Sequence, residues 1–136
     1  MKRFEFIEHT ADIGFRAYGS TLAEAYANAG YALFSIITDP RAVREVESRR
    51  LHLQEDNPEA LLFEWLNSLI YLFDTETILF KRFEIDHFED GKLSATCYGE
   101  KYDPSRHQLK IEVKSATYHM LEVDKERNYV QVIVDI

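Results

Sequence analysis

Two acidic segments at opposite ends of the chain carry side chains suited to binding a cation. The first is Glu8-His9-Thr10-Ala11-Asp12, with three ionisable groups between two predicted strands, and the second is Asp135-Ile136, where a side-chain carboxylate adjoins the α-carboxylate. Oxygen donors of this kind suit Ca²⁺ or Mg²⁺ better than a soft metal. Simpler interpretations are a polar turn in which Asp12 binds nearby amides, and a solvated Asp135 that ends an edge strand.

A third polar segment, Lys114-Ser115-Ala116-Thr117-Tyr118-His119, interrupts the C-terminal part of the chain. Lys114 could neutralise a carboxylate cluster or contact a phosphate, and His119 could act as a base or a ligand. The alternative is that Lys114 is a loop lysine and His119 a half-buried strand histidine. Glu8 and His9 are the other candidates for a functional role near the carboxylates.

The sequence lacks the motifs of several common sites. Its five glycines are scattered, so there is no glycine-rich phosphate cradle, and no Cys-x-x-Cys or His-x-x-x-His pair indicates zinc. The one cysteine, Cys97, lies in a predicted strand and has no evident catalytic partner. A carboxylate site for a hard cation is therefore the chemistry that the residues support best.

The charge balance argues against a protein that grips nucleic acid through its phosphates. The formal net charge is −8 and the pI is near 5.1, whereas phosphate binding needs a clustered positive surface. Arg41, Arg44, Arg49 and Arg50 form a local basic group. We interpret this group as the solvated face of a strand, with RNA contact as the alternative.

A reducing, cytoplasmic environment is predicted from the cysteine content and from the lack of targeting segments. Cys97 cannot form an internal disulfide. No apolar run approaches the roughly 18 residues that would span a bilayer, and the N-terminal residues do not read as a signal peptide. We expect no membrane contact, and the oligomeric state does not follow from the sequence.

Residue periodicity predicts a single α+β domain over residues 1–136, in which mainly antiparallel sheets pack on two main helices, about 22–38 and 58–74. The first helix begins at the capping box Thr21-Leu22-Ala23-Glu24 and the second at Asn57-Pro58. Asp90-Gly91 predicts a hairpin turn. The predicted strands cover 4–8, 13–18, 43–53, 78–88, 92–99, 109–113, 118–123 and 129–136.

Five segments, in this order along the whole chain, closely resemble the archease family. They are Glu8-His9-Thr10-Ala11-Asp12-Ile13-Gly14-Phe15, Leu22-x-Glu24-Ala25 with Asn28-Ala29, Leu61-Leu62-x-x-Trp65-Leu66-Asn67, Lys114-x-x-Thr117-Tyr118-His119 and Val132-Ile133-Val134-Asp135-Ile136. The one local departure is Ser115-Ala116, where relatives often carry a more apolar pair. The resemblance implies an archease-like fold.

The resemblance also implies a partner and a metal site. Archeases assist the RtcB-type RNA ligase, a metal- and GTP-dependent enzyme that joins tRNA halves, by promoting guanylylation of its active-site histidine and supporting multiple turnover and wider nucleotide use. They are not ligases, and their contact with tRNA is indirect, through the ligase. The family's divalent metal falls on Asp12, Asp135 and the main-chain or terminal oxygens of Ile136, with Ca²⁺ expected and Mg²⁺ or Mn²⁺ as alternatives, and Lys114 is a functional neighbour.

Two other classes of function stay open. One is a metal-dependent hydrolase of a phosphate ester, with His9 or His119 as the base. The other is an RNA-binding or chaperone-like module, which the acidic charge balance disfavours.

Overall fold

Two antiparallel sheets with two helices between them make up residues 2–7 and 12–136, the part of the chain that the computed structural model describes. The first sheet has the strand order β1-β2-β8-β6, with β7 also paired to β8, and the second has the order β3-β5-β4. The elements are β1 (Phe4–Ile7), β2 (Ile13–Tyr18), α1 (Leu22–Ile37), β3 (Glu47–Gln54), α2 (Pro58–Glu76), β4 (Ile78–Glu89), β5 (Lys92–Lys101), β6 (Ser115–Ala116), β7 (Glu122–Asp124) and β8 (Tyr129–Asp135).

Both helices begin where capping side chains predict. The amide of Glu24 donates to the Thr21 hydroxyl over 3.1 Å, and the amide of Ala60 donates to Asn57 Oδ1 over 2.8 Å. The Glu24 carboxylate accepts from the Ser20 amide, one residue before the cap, which satisfies a further N–H group at the start of α1. The predicted helices are confirmed to within two residues at each end.

The core lies between the two sheets, because each helix contacts strands of both. Helix α1 buries Tyr26, Leu33 and Phe34, and α2 buries Trp65 and Leu66. The Trp65 indole N–H donates to the Tyr26 carbonyl over 2.8 Å, so the largest buried side chain also has its polar atom satisfied. The α+β prediction is confirmed. No helix among the described residues is long and apolar enough to cross a membrane.

The hairpin between β4 and β5 turns at Asp90-Gly91, as predicted, and both residues have positive φ, 54° and 74°. At the other end of this hairpin, Gly99 lies so close to β4 that an added Cβ would come within 1.8 Å of the Leu79 carbonyl oxygen. A side chain at Gly99 would therefore force these strands apart.

The strand prediction for 109–113 is wrong, and the one for 118–123 is wrong over most of its length. Residues 108–114 have neither helix nor strand, and pairing in this region is limited to β6 and β7. The free edge of β8 is divided between β6 and β7. The segment 108–114 instead crosses the end of α1, where the Lys110 amide donates to the Ile37 carbonyl over 2.8 Å.

Candidate functional site

The sheet brings Asp12, Asp135 and Lys114 to one end of its central strand. Strand β8 pairs antiparallel with β2 through Ile13–Val134 and with β6 through Ser115–Asp135. Continuing the first register by one residue sets Asp12 opposite Asp135. Opposed residues in antiparallel pairs have Cα atoms about 4.5–5.5 Å apart, and their side chains project from the same face.

The candidate site lies where β8 leaves the core, because β8 is buried at every position before Asp135. Val132 and Val134 are fully buried, whereas Asp135 is exposed at the end of the strand and Asp12 is half-buried just before β2. Ile136 is partly buried and packs against the hydrophobic core. The packing of Ile136 therefore holds the main chain beside Asp135 in one place, which favours a site of defined geometry.

Hydrogen bonds hold the Lys114 segment against β8. The Lys114 amide donates to the Asp135 carbonyl over 2.8 Å, and the Thr117 hydroxyl donates to the Ile133 carbonyl over 2.8 Å. The side chain of Asn67, on α2, accepts from the Ala116 amide over 2.9 Å. Asn67 thus ties the helix to β6, the strand that directly follows Lys114, a role that its place in the motif Leu61-Leu62-x-x-Trp65-Leu66-Asn67 did not reveal.

His119 lies further along the same sheet. It is exposed in the turn after Thr117, and the next residue, Met120, accepts a hydrogen bond from Gln131 over 2.9 Å. At about 3.4 Å per strand residue, this contact is roughly 13 Å from Asp135. The role of His119 as a functional neighbour of the aspartates stays a prediction. Glu8 and His9 lie outside the described residues.

The donor set at the end of β8 fits a hard cation that keeps much of its water. It comprises the carboxylates of Asp12 and Asp135 and the main-chain oxygen of Ile136, whereas Ca²⁺ takes six to eight oxygens. No group of three or more His, Cys, Asp or Glu side chains that could hold a metal occurs within residues 2–7 and 12–136. Water would have to complete the shell, so a metal site here remains a prediction.

Cys97 and the arginine group are not suited to the other chemistries that the sequence left open. Cys97 is fully buried, and burial raises the pKa of its thiol to about 12, so the thiol stays protonated at neutral pH. The four arginines each lie within ion-pair distance of a carboxylate. The pairs are Arg41–Asp39, Arg44–Glu100, Arg49–Glu76 and Arg50–Asp86. Only Arg49 and Arg50 lie on a strand, β3, so the predicted strand face holds for those two, and the pairing of all four disfavours an RNA contact.

A cavity of about 460 Å³ opens beside Asp12, and the sequence gave no sign of it because its walls come from distant segments. The end of β1 and the start of β2 supply one wall, the C-terminal half of α1 the second and the segment 108–114 the third. The lining residues are Phe6, Ile7, Asp12, Ile13, Ser35, Ile36, Lys110 and Ile111.

Comparisons with a family model, with known sequences and with solved structures all relate this chain to archeases. Residues 4–136 match the model of the Archease protein family. The chain is 40% identical over 139 residues to the protein archease of Sulfurisphaera tokodaii, covering all of both chains. It is 43% identical over 128 residues to the protein archease of Pyrococcus abyssi, covering 92% of this chain and 90% of the relative.

Two solved structures share the fold. The solution structure of Methanobacterium thermoautotrophicum protein 1598 superposes with a TM-score of 0.82 at 36% identity and covers all of both chains. The crystal structure of an archease from Thermotoga maritima, described as a possible chaperone, has a TM-score of 0.60 at 20% identity and covers 94% of this chain and 91% of that one.

Proposed function

This chain belongs to the archease family, and from that premise we propose that it is a non-enzymatic activator of the RtcB-type RNA ligase in tRNA splicing. In this role it promotes guanylylation of the ligase and supports multiple turnover in the cytoplasm, and it meets tRNA through the ligase. The observation that carries the proposal is the family match over residues 4–136, combined with a sheet end that gathers Asp12, Asp135 and Lys114.

The proposed working site is the end of β8. A divalent cation, Ca²⁺ in the first instance and Mg²⁺ or Mn²⁺ as alternatives, would be held by Asp12, Asp135 and Ile136. Two carboxylates on opposed residues repel each other, so a cation or the Lys114 ammonium group between them is favoured. Because water would complete the shell, the ion would exchange readily. An exposed, exchangeable ion could be handed over to the nucleotide-binding centre of a partner enzyme. It could instead order the groups of that centre that receive the nucleotide.

The acidity of the chain supports an encounter with a basic partner. The formal net charge of −8 would attract an RNA-binding enzyme with a positive surface and speed the association. The same charge disfavours direct binding of bare tRNA. The description of the Thermotoga maritima archease as a possible chaperone fits an accessory role of this kind.

A guanylylation time course with limiting ligase tests the proposal. We expect this protein to increase both the rate and the number of turnovers, and we expect the stimulation to depend on which of Ca²⁺, Mg²⁺ or Mn²⁺ is present. The same preparations, without ligase, are assayed for phosphodiester hydrolysis and for salt-sensitive binding of bare tRNA. Hydrolysis or tight tRNA binding in the absence of ligase stimulation would contradict the proposal.

A further inference from the structure

Three large apolar side chains are exposed together on one side of the molecule. Phe6, Leu109 and Ile111 are 55%, 42% and 38% exposed. Phe6 and Ile111 line the cavity of about 460 Å³ beside Asp12, and Leu109 and Ile111 line a neighbouring cavity of about 270 Å³. A contiguous apolar patch on a protein surface usually marks a site that binds a ligand or another protein.

The two cavities form one continuous surface, divided by a ridge. Lys110 and Ile111 line both, and the ridge is anchored below by the hydrogen bond from the Lys110 amide to the Ile37 carbonyl. The floors are apolar: Ile36 lies under the first cavity and Ile37 and Phe73 under the second. Each cavity can therefore receive an apolar side chain, one on either side of the ridge.

The rim of this surface is acidic. Asp12 lines the first cavity, and Asp74 and Glu112 line the second, and Lys110 is the one lysine among the described lining residues. Burial, and then the nearby charge of Glu112, raise the pKa of Asp74. The Glu112 charge, the smaller of these two causes, shows that the Asp74 and Glu112 carboxylates lie within range of mutual repulsion. A basic group between them would relieve this repulsion, whereas an acidic group would add to it.

We propose that this double cavity is a docking site for a basic segment of the ligase that carries two large apolar side chains, one for each cavity. The inference rests on the proposed function, since it takes the ligase as the partner. The apolar floors would supply most of the affinity, and the acidic rim would select a basic segment and speed its association. Because Asp12 belongs to both surfaces, docking here would place the end of β8 against the same region of the ligase.

Binding of the intact ligase to three variants tests the assignment. Ile111→Ser removes the side chain shared by both cavities, and Glu112→Lys reverses one charge on the rim. Val46→Ser is the matched control, because Val46 is 67% exposed and lines neither cavity. Urea unfolding of each variant shows whether the fold is retained, and Glu112→Lys, being a surface change, keeps the test valid if Ile111→Ser unfolds.

We expect Ile111→Ser to raise the Kd for the ligase about tenfold. We expect Glu112→Lys to lower the association rate and weaken its salt dependence, and Val46→Ser to bind as the unmodified protein does. If the unmodified protein stimulates the ligase but Ile111→Ser and Glu112→Lys bind it normally, the docking site is wrong and the proposed function stands. If the unmodified protein neither binds nor stimulates the ligase, the docking site and the proposed function are both wrong. A dimer in sedimentation that Ile111→Ser converts to a monomer would assign this surface to a second copy instead.

Discussion

Replacing Glu100 with glutamine is expected to destabilise the protein by about 2 kcal/mol at pH 7. Glu100 is buried and accepts hydrogen bonds from Arg106 Nη1 (2.8 Å), the Arg44 amide (2.7 Å) and His107 Nε2 (2.9 Å). His107 Nδ1 accepts from the Asp103 amide, which assigns the ring proton to Nε2. This cluster fastens β5 to the loop that leads into 108–114, the segment that borders both cavities and ends at Lys114.

The magnitude follows from the charge state of Glu100. Burial alone would raise the pKa of its carboxyl, but the hydrogen bonds from Arg106, the Arg44 amide and His107 outweigh burial and lower the pKa from 4.5 to about 2. A pKa difference of this size between the folded and unfolded states contributes about 3 kcal/mol to the free energy of unfolding at neutral pH. The side chains of Arg44 and Arg106 are partly solvated, which reduces the value to about 2 kcal/mol.

The same argument fixes the pH dependence. Because the folded-state pKa is lowered, the stabilisation is fully present well above pH 4.5 and is lost as the pH falls towards 2. Urea unfolding, followed through the fluorescence of buried Trp65, measures it at pH 7 and pH 3. The difference in free energy of unfolding between the unmodified protein and Glu100→Gln should be about half as large at pH 3 as at pH 7. Glu84→Gln, an exposed carboxylate paired with Arg82, is the control. The reasoning would be refuted if Glu100→Gln and Glu84→Gln were equally stable at pH 7. It would also be refuted if the loss of stability in Glu100→Gln did not change with pH.

Three further changes test the packing and the backbone. Leu66→Ala, in the core side of α2, should cost about 2–5 kcal/mol in urea unfolding, and a loss below 1 kcal/mol would contradict its full burial. Asn67→Ala leaves the Ala116 amide without its partner and should cost about 1–2 kcal/mol; faster amide exchange at Ala116 would locate the effect, and unchanged exchange would contradict it. Thr77→Asn should stabilise by about 0.5–1 kcal/mol, because Thr77 holds φ at 56°, which asparagine adopts more readily than a β-branched residue; a lower thermal midpoint would count against this.

Local signals predicted most of the regular structure. Thr21 and Asn57 mark helix starts by hydrogen bonds within three residues, and Asp90-Gly91 sets a turn through backbone angles, so none of these depends on distant parts of the chain. The alternation of Leu109, Ile111 and Val113 favours a strand as much as the patterns of the confirmed strands do, yet no strand forms there. A strand also needs a free edge to pair with, and β6 and β7 already occupy that edge of β8.

The candidate site was predictable in part for a related reason. Asp12 and Asp135 adjoin strands whose pairing is antiparallel, and the register brings them to one end of the sheet. The double cavity was not predictable, because Phe6, Ile36 and Ile111 meet only through the tertiary fold. The metal ligands stay a prediction, because strand register brings Asp12 and Asp135 together but does not show which oxygens would coordinate a cation.

The most direct test of the central claim is the rate of ligase guanylylation in the presence of the Asp12→Asn/Asp135→Asn double variant. The amides keep the shape of the side chains and remove the charges that would hold a cation. Asp56→Asn is the matched control, since Asp56 lines a cavity with Lys125, near the opposite end of β8. We predict that the control stimulates the ligase fully and that the folded double variant does not stimulate it. Full stimulation by the folded double variant would contradict the claim that this pair of carboxylates is the working site.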